Sequence, residues 1–242
     1  MAGRVQSFPS MSRRRLFRLW LSEKHDPEPF YRAMADRTVD ELSFALAGTR
    51  VLDLGCGFGQ LTDALRRAGA EVAPVDLHLD DQATPSSLRG AARADGTSLP
   101  FPDGTFDGVM CSNLLEHTPT AGPVFDEIER VLVTGGWAWV SWTNWFSPWG
   151  GHEIVPFHYL GPRLGLRAWR RVFGEPRKNV PFEELWPTHV GPTLRLVRRR
   201  PGLRLIDAVP RYYPSQRWIL KVPGLRELAT WNCVLVLRRV RT

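Results

Sequence analysis

The stretch that decides the fold is Val51-Leu52-Asp53-Leu54-Gly55-Cys56-Gly57-Phe58-Gly59. A short apolar run that ends in three alternating glycines predicts a buried strand and a tight turn facing a ligand, because glycine adopts positive φ and lets the backbone approach a bound molecule closely. A second apolar run, Val72 to Val75, leads into Asp76. Doubly wound folds hold a nucleoside ribose with an acid in this position. A dinucleotide loop requires G-x-G-x-x-G, whereas this loop has G-x-G-x-G, so the spacing argues against a nicotinamide cofactor.

Strand and helix patterns alternate from Arg50 to Trp142, which predicts a mainly parallel sheet with helices on both faces. Pro123 suits a helix start, and Gly135-Gly136 suits a helix stop. The predicted strands cover residues 50–55, 71–76, 91–94, 106–111, 136–142, 203–209 and 231–240. The predicted helices cover residues 29–47, 59–68, 123–133, 162–173 and 188–199.

Further segments follow the glycine loop in order: Ala94-Asp95-Gly96, Leu99-Pro100-Phe101, Phe106 to Cys111, Ser112 to His117 and Arg130 to Gly136. With the loop and Asp76, they make the chain resemble the class I S-adenosylmethionine-dependent methyltransferases, most closely the small-molecule branch called type 11. Thr134 stands where that family usually has proline, a change that affects the rigidity of a turn rather than chemistry. The segment from Trp145 to Glu153 is similar to uncharacterised actinobacterial members of the family.

The resemblance implies an α/β fold of the Rossmann-like, doubly wound type. Its mainly parallel, seven-stranded sheet would end in an antiparallel C-terminal hairpin and carry an inserted cap. Residues 1–47 are expected to form an N-terminal tail with helices, and residues 48–242 the methyltransferase domain. Within that domain, residues 143–200 are expected to be a substrate cap insertion.

The resemblance also implies S-adenosylmethionine as the cofactor. Asp53 would orient the amino group of its methionine part, and Asp76 would accept hydrogen bonds from both ribose hydroxyls. Leu77 would lie on the adenine ring, whose amino group would donate to Asp95. The expected cofactor-binding residues are Asp53, Gly55, Cys56, Gly57, Asp76, Leu77, Asp95, Gly96, Ser112 and Asn113.

Methyl transfer to an oxygen of high pKa requires a general base within hydrogen-bonding reach. His117, just after the fourth strand, is the first candidate, and His152, Glu153 and His158 are the others. Two interpretations of His117 stay open, a catalytic base and a histidine at the start of a helix that braces the loop. No metal ion is expected: some quinone-pathway relatives have Glu-x-x-Glu-His here, but this chain keeps only Glu116 and His117, and Mg²⁺ prefers more oxygen ligands.

Five tryptophans fall between residues 137 and 149. Strand alternation puts Trp137 and Trp139 on one face, which predicts that both belong to the core. Trp145 and Trp149 come after the strand. They form either an aromatic wall for a sugar, an aromatic ring or a lipid, or a tightly packed cap without ligand contact.

The 242 residues carry a formal net charge of +7, which is unevenly spread. Residues 50–140 hold 6 Lys and Arg against 13 Asp and Glu, so the positive charge lies in the rest of the chain. This favours an anionic substrate, a nucleic acid or a membrane surface, and a basic helix over Arg13 to Leu21 is a candidate for peripheral membrane contact. The other interpretation is compositional, since 29 of the 32 basic residues are arginine, as in a GC-rich genome.

No apolar run is long enough to span a membrane, and no secretory signal is recognisable. A cytoplasmic location is therefore expected, with peripheral contact at the inner face of the membrane as an option. Cys56, Cys111 and Cys233 are scattered and odd in number, which argues against a disulfide framework or a zinc site of cysteines and predicts small buried residues.

The predicted function is transfer of a methyl group from S-adenosylmethionine to a small-molecule acceptor or one linked to a lipid or glycan, with oxygen as the expected acceptor atom. A nucleic-acid acceptor is not favoured, because base-amine methylases carry an Asn/Asp-Pro-Pro-aromatic motif where this chain has Ser112-Asn113-Leu114-Leu115. The alternative function is that of a non-catalytic S-adenosylmethionine-binding regulatory or scaffold protein. The sequence does not indicate an oligomeric state.

Overall fold

The computed structural model describes residues 28–79 and 88–241. The basic helix predicted over Arg13 to Leu21 lies outside the described residues. Strands β1 to β7 run over Arg50–Leu54, Glu71–Asp76, Ala92–Arg93, Phe106–Ser112, Leu132–Thr143, Leu203–Pro210 and Asn232–Arg239. Helices α1 to α6 run over Glu28–Asp40, Gln60–Arg67, Ala121–Val131, Pro162–Phe173, Val190–Arg198 and Leu225–Ala229. None of the helices in these two ranges is both long and apolar enough to cross a membrane.

The seven strands form one sheet in the order β3-β2-β1-β4-β5-β7-β6. All neighbouring pairs are parallel except those of β7, which runs antiparallel to β5 and to β6. The predicted Rossmann-like fold and its antiparallel C-terminal hairpin are therefore confirmed. The strand order reverses between β1 and β4, and open α/β sheets bind ligands at the carboxyl ends of the strands beside such a switch point.

The predicted helices and strands are present, and most of their ends lie within a few residues of the predicted ends. Helix α1 ends at Asp40 instead of continuing to residue 47. The chain leaves the helix there, and Phe44 stacks on Trp137 with the ring centroids 4.7 Å apart. Helix α3 begins at Ala121, so Pro123 lies in its first turn, where the missing N–H has no partner to lose.

The turn between α3 and β5 also differs from the prediction. Helix α3 ends at Val131 and β5 begins at Leu132, so the two glycines lie in the start of the strand and do not stop the helix. Gly135 has a φ of 84°, and a Cβ on Gly136 would lie 2.9 Å from the Val133 carbonyl oxygen. The glycines are needed there because the backbone bends sharply upon itself.

Two apolar cores cover the two faces of the sheet. Trp137 and Trp139 pack in one core and Trp142 in the other, as strand alternation requires. The prediction that Trp137 and Trp139 belong to the core is thus confirmed. All three cysteines are free thiols and buried, which confirms the prediction made for them.

The segment after β5 has two parts. The first part has a small core of its own, formed by Trp145, Ile154, Leu166 and Leu185. The second part, α5, packs on the main core of the sheet through Val190, Leu194 and Val197. The Trp186 N–H donates to the Glu116 carbonyl at 2.7 Å, which ties the first part to the loop after β4.

Candidate functional site

The glycine loop connects β1 to α2 at the carboxyl edge of the sheet. Gly55, Gly57 and Gly59 have φ values of 77°, 51° and 83°, which explains why the glycines alternate. The N–H groups of Gly55 and Cys56 donate to the Val75 carbonyl at 2.8 and 3.1 Å and so fasten the loop to β2. A Cβ built on Gly57 meets no atom of the described residues within 4 Å. This part of the loop therefore faces open space.

Asp76 ends β2, and its carboxylate is held against the glycine loop. Its Oδ2 accepts the Gly57 N–H at 2.9 Å, and its Oδ1 accepts the His78 N–H at 3.0 Å. Each carboxylate oxygen has more than one acceptor site, so the fixed carboxylate can still accept hydrogen bonds from a vicinal diol. Leu77 is 44% exposed and offers an apolar surface next to it.

Asp53 is buried in β1, where the strand leads into the loop. Its Oδ2 accepts the Thr62 hydroxyl at 2.6 Å. Burial raises the pKa of Asp53 to about 6, with a smaller contribution from the negative charge of Asp76, and the bond from Thr62 opposes the shift. Because a nearby positive charge stabilises a carboxylate, this site favours a cationic ligand group.

Asp95 and Gly96 follow β3. The exposed Asp95 carboxylate accepts the N–H and the hydroxyl of Thr97, both at 2.8 Å, and so fixes a turn. A Cβ on Gly96 would lie 3.2 Å from one methyl group of Leu114, and a Cβ on Gly55 would lie 3.2 Å from the other. Leu114 therefore packs between two predicted binding segments. Its place in the site could not be predicted from the sequence, because an apolar side chain carries no local signal of function.

Ser112 and Asn113, at the end of β4, belong to a polar network around Arg211, which is 8% exposed. The Arg211 guanidinium donates at 3.1 to 3.4 Å to side-chain oxygens of Ser112, Asn113, Ser141 and Thr38. It also lies 5.0 Å from the centroid of the Trp139 ring. Burial lowers the pKa of Arg211. This buried positive charge could not be predicted from the sequence, because its place in the site depends on where the chain leaves β6.

The structure brings together two of the predicted catalytic residues. The rings of His117 and His152 meet edge to face, with centroids 5.4 Å apart. Nδ1 of His117 lies 2.8 Å from the Glu184 carbonyl oxygen, so this nitrogen donates a proton to the carbonyl, and in the corresponding tautomer the lone pair is on Nε2. Burial, with a smaller effect of the nearby His117, lowers the pKa of His152 to about 4. His152 is therefore neutral near pH 7.

Glu116 joins this pair from the loop after β4. Its side chain is buried, and its Oε1 accepts the Thr143 N–H at 2.8 Å. Its Oε2 has no hydrogen-bond partner in the described part of the chain. Burial raises the pKa of Glu116. One ligand atom from each of Glu116, His117 and His152 lies within 4.8 Å of the other two.

Glu153, another predicted catalytic residue, contacts a different loop. Its Oε2 accepts the N–H groups of Arg177 and Lys178 at 2.8 and 2.9 Å. The bond from the Arg177 N–H is the main cause that lowers the pKa of Glu153. The structure therefore does not bring the Glu153 carboxylate to the histidine pair.

The two tryptophans after β5 have different surroundings. Trp145 is 1% exposed, and its Nε1 donates to the His158 carbonyl at 3.2 Å, as expected of a packed cap. Trp149 is half-buried, and its ring contacts Tyr212 and Trp231 with centroids 6.0 and 5.2 Å away. Of the two side chains, only that of Trp149 is partly exposed.

A cleft of about 390 Å³ lies at the opposite edge of the sheet, between the start of β1 and the start of β5. Its lining includes Phe44, Asp107, Trp137 and Arg238. These residues contact one another or the nearby backbone: Phe44 stacks on Trp137, and Asp107 accepts the Arg50 N–H. We therefore assign the functional site to the carboxyl edge, where the glycine loop and the histidine pair lie.

The sheet order and the glycine loop at its carboxyl edge are those of the Rossmann-like class of proteins. Residues 52–140 match the family described as a methyltransferase domain. An uncharacterized methyltransferase from Mycolicibacterium gilvum is 37% identical, and the alignment covers 98% of this chain and 97% of that protein. Another, from Mycobacteroides abscessus, is 37% identical and covers 89% of each chain. The crystal structure of an S-adenosylmethionine-dependent methyltransferase from Mesorhizobium loti shares the fold, with a TM-score of 0.58 at 22% identity over 85% of this chain and 96% of that one.

The chain belongs to the S-adenosylmethionine-dependent methyltransferases, and it has relatives of this kind in actinobacteria. The residues present fit the cofactor S-adenosylmethionine, which joins an adenosine to a positively charged sulfur. None of the described residues covers Gly57, so they leave room for a ligand against the backbone, and Asp76 keeps acceptor capacity for a ribose. The raised pKa of Asp53 suits a cationic group.

Proposed function

We propose that this methyltransferase acts on an oxygen of a small-molecule acceptor or of one linked to a lipid or glycan. The observation that carries the proposal is the pair of imidazoles, His117 and His152, which meet after β4 and β5. Bound S-adenosylmethionine supplies a methyl group on a positively charged sulfur. The chain's own residues must then orient the cofactor, place the acceptor oxygen in line and remove its proton.

For the cofactor, we propose the ten residues predicted from the sequence. Asp76 holds the ribose hydroxyls, and Asp53 orients the amino group of the methionine part. Asp95 and Leu77 contact the adenine. Ser112, Asn113 and the loop residues Gly55, Cys56, Gly57 and Gly96 complete the set.

For the acceptor, we propose that its hydroxyl lies against the histidine pair. The Nε2 lone pair of His117 is available because Nδ1–H donates to the Glu184 carbonyl. We propose that Glu153, whose carboxylate is engaged by two backbone N–H groups, holds the turn at Arg177 and Lys178 beside His152.

We propose residues 143–200 as the substrate cap. The exposed surface of α4, which lies in this segment, is an argument for an acceptor linked to a lipid. Leu164, Arg167, Arg171 and Val172 have the spacing i, i+3, i+7 and i+8, which puts them on one helix face, and all four are exposed. Apolar side chains flanked by arginines suit the surface of an anionic membrane.

The direct test is a transfer assay with labelled S-adenosylmethionine and three acceptor sets: phenols, soluble glycans, and lipids extracted from an actinobacterium. We expect labelled product from the lipid set, with the label released by ether cleavage. Label only on nitrogen or carbon would contradict an oxygen acceptor. Cofactor binding without transfer to any set would favour the non-catalytic alternative.

The membrane contact is tested by binding of the full chain to vesicles with and without anionic lipid. We expect Leu164→Ser combined with Val172→Ser to weaken binding at least about tenfold, because each buried apolar side chain contributes about 1.5 kcal/mol or more. The matched control is Leu228→Ser, an exposed leucine on α6. If replacing Arg13, Arg14 and Arg15 by alanine removes binding while the α4 variant binds normally, the contact belongs to the N-terminal helix predicted from the sequence.

A further inference from the structure

Three side chains of metal-ligating chemistry converge after β4 and β5. Glu116 and His117 belong to one short 3-10 helix, Leu115–His117, and His152 begins another, His152–Ile154. One ligand atom of each lies within 4.8 Å of the other two. The sequence offered only Glu116 and His117 for an ion, and folding supplies a third ligand from the inserted segment.

Two atoms of this cluster are buried without a partner. Neither Oε2 of Glu116 nor Nε2 of His152 has a hydrogen-bond partner in residues 28–79 and 88–241. A buried polar atom without a partner costs free energy, so such atoms are uncommon and call for an explanation. A bound cation would satisfy both atoms at once.

The surroundings hold the three ligands in place. The other carboxylate oxygen of Glu116 accepts the Thr143 N–H, and Nδ1–H of His117 donates to the Glu184 carbonyl. A ligating histidine is usually oriented in this way, by a bond from its second nitrogen to an oxygen. His152 has a φ of 47°, a strained backbone conformation for a residue other than glycine, of a kind that recurs at functional sites.

From this geometry we propose that Glu116, His117 and His152 bind one divalent transition-metal ion, with Zn²⁺ as the first candidate. Two imidazoles and one carboxylate suit Zn²⁺, whereas Mg²⁺ requires mainly oxygen ligands. Zn²⁺ holds such ligands at about 2.1 Å, which puts tetrahedral neighbours about 3.4 Å apart. The three ligand atoms lie within 4.8 Å of one another, so side-chain shifts of less than about 1.5 Å close the remaining gap.

The role of the ion rests on the proposed function, whereas its binding does not. Three protein ligands leave a fourth position for water or for an acceptor hydroxyl. A hydroxyl bound there has a lowered pKa and releases its proton to solvent. Its oxygen then forms the new bond to the methyl carbon, while the carbon–sulfur bond breaks and its electron pair stays on sulfur. The histidines would act as ligands and not as free bases.

The test is Zn²⁺ binding to the full chain after treatment with a chelator, followed by elemental analysis and titration. We expect one equivalent per chain. Glu116→Gln keeps an acceptor for the Thr143 N–H, and His152→Asn suits a positive φ, so both variants should fold. We expect each to bind Zn²⁺ at least about tenfold more weakly. The matched control is His189→Ala, a half-buried histidine outside the cluster, which should bind like the parent.

The absence of Zn²⁺, Co²⁺ and Mn²⁺ binding to the folded parent chain would overturn the site. Equal affinity in the parent and in both ligand variants would overturn it too. Methyl transfer that persists in a metal-free chain would keep the proposed function and reject the role of the ion. One equivalent of Zn²⁺ bound through the cluster without transfer to any oxygen would keep the metal site and reject the oxygen acceptor.

Discussion

The glycine-loop region, residues 48–142, and the inserted segment, residues 143–200, build their parts of the site in different ways. In the first region, glycines with positive φ determine the shape of the loop. Asp76, at the end of β2, accepts a hydrogen bond from that loop. In the second region, His152 becomes part of the site only because its ring contacts the ring of His117. The Glu184 carbonyl becomes part of it only because it accepts a hydrogen bond from the His117 ring. The backbone geometry of a loop is determined by residues that are neighbours in the sequence, whereas a cluster of side chains depends on how distant segments pack.

Asp76→Ala tests the first region and should have the largest effect. Two hydrogen bonds to a charged carboxylate contribute about 1.5 to 3 kcal/mol each, so we expect S-adenosylmethionine to bind at least about 100-fold more weakly. Calorimetric titration measures this. The control is Asp103→Ala, an exposed carboxylate paired with Arg130. Equal affinity of both variants would contradict the assignment of Asp76.

His117→Ala and His152→Asn test the histidine pair, which joins one residue of each region. We expect kcat to fall about 100-fold in each, because loss of proton removal at the acceptor costs about two orders of magnitude or more. The dissociation constant of the cofactor should stay unchanged. If cofactor affinity falls as much as kcat, the histidine pair also holds the cofactor, and the separation of cofactor binding from proton removal is wrong.

We expect a smaller change in cofactor affinity when the pH is lowered and Asp53 becomes protonated. Since ionised Asp53 attracts a cation, we expect affinity to fall about tenfold from roughly pH 7 to pH 5, across its pKa of about 6. Stability of the cofactor-free chain changes in the opposite direction. The raised pKa of Asp53 contributes stability that is present below about pH 4 and is lost as the pH rises through about 6.

The matched variant for this pH effect is Asp53→Asn. We expect it to bind the cofactor more weakly at neutral pH and with no change between roughly pH 7 and pH 5. Its thermal unfolding should also lose the part of the pH dependence that Asp53 provides. A parent chain whose affinity does not change over this range would show that Asp53 does not contact the charged part of the cofactor.

Glu153→Gln should have the smallest effect. Because this carboxylate accepts backbone N–H groups of another loop, we expect kcat to change by no more than about twofold, with a slightly lower melting temperature. Glu175→Gln, in the same part of the chain, is the control. A loss of kcat comparable to that of His117→Ala would restore Glu153 to the catalytic role predicted from the sequence.

Most of the fold followed from the sequence, because apolar periodicity and glycine placement are local signals. The errors lie at element ends, where tertiary contacts decide. Helix α1 stops at Asp40, and Phe44 beyond it stacks on Trp137, which no local pattern shows. Arg211 and Leu114 were missed for the same reason, since both act through residues distant in the chain.

The sequence by itself determined the Rossmann-like sheet, the family and the cofactor, because each depends on short motifs that set backbone conformation. Only the tertiary structure decided which histidines meet, and which polar atoms are buried without a partner. It also set the Glu153 carboxylate apart from the predicted catalytic histidines. Side chains from separate loops converge only when the chain packs, and burial then decides their charge and their partners.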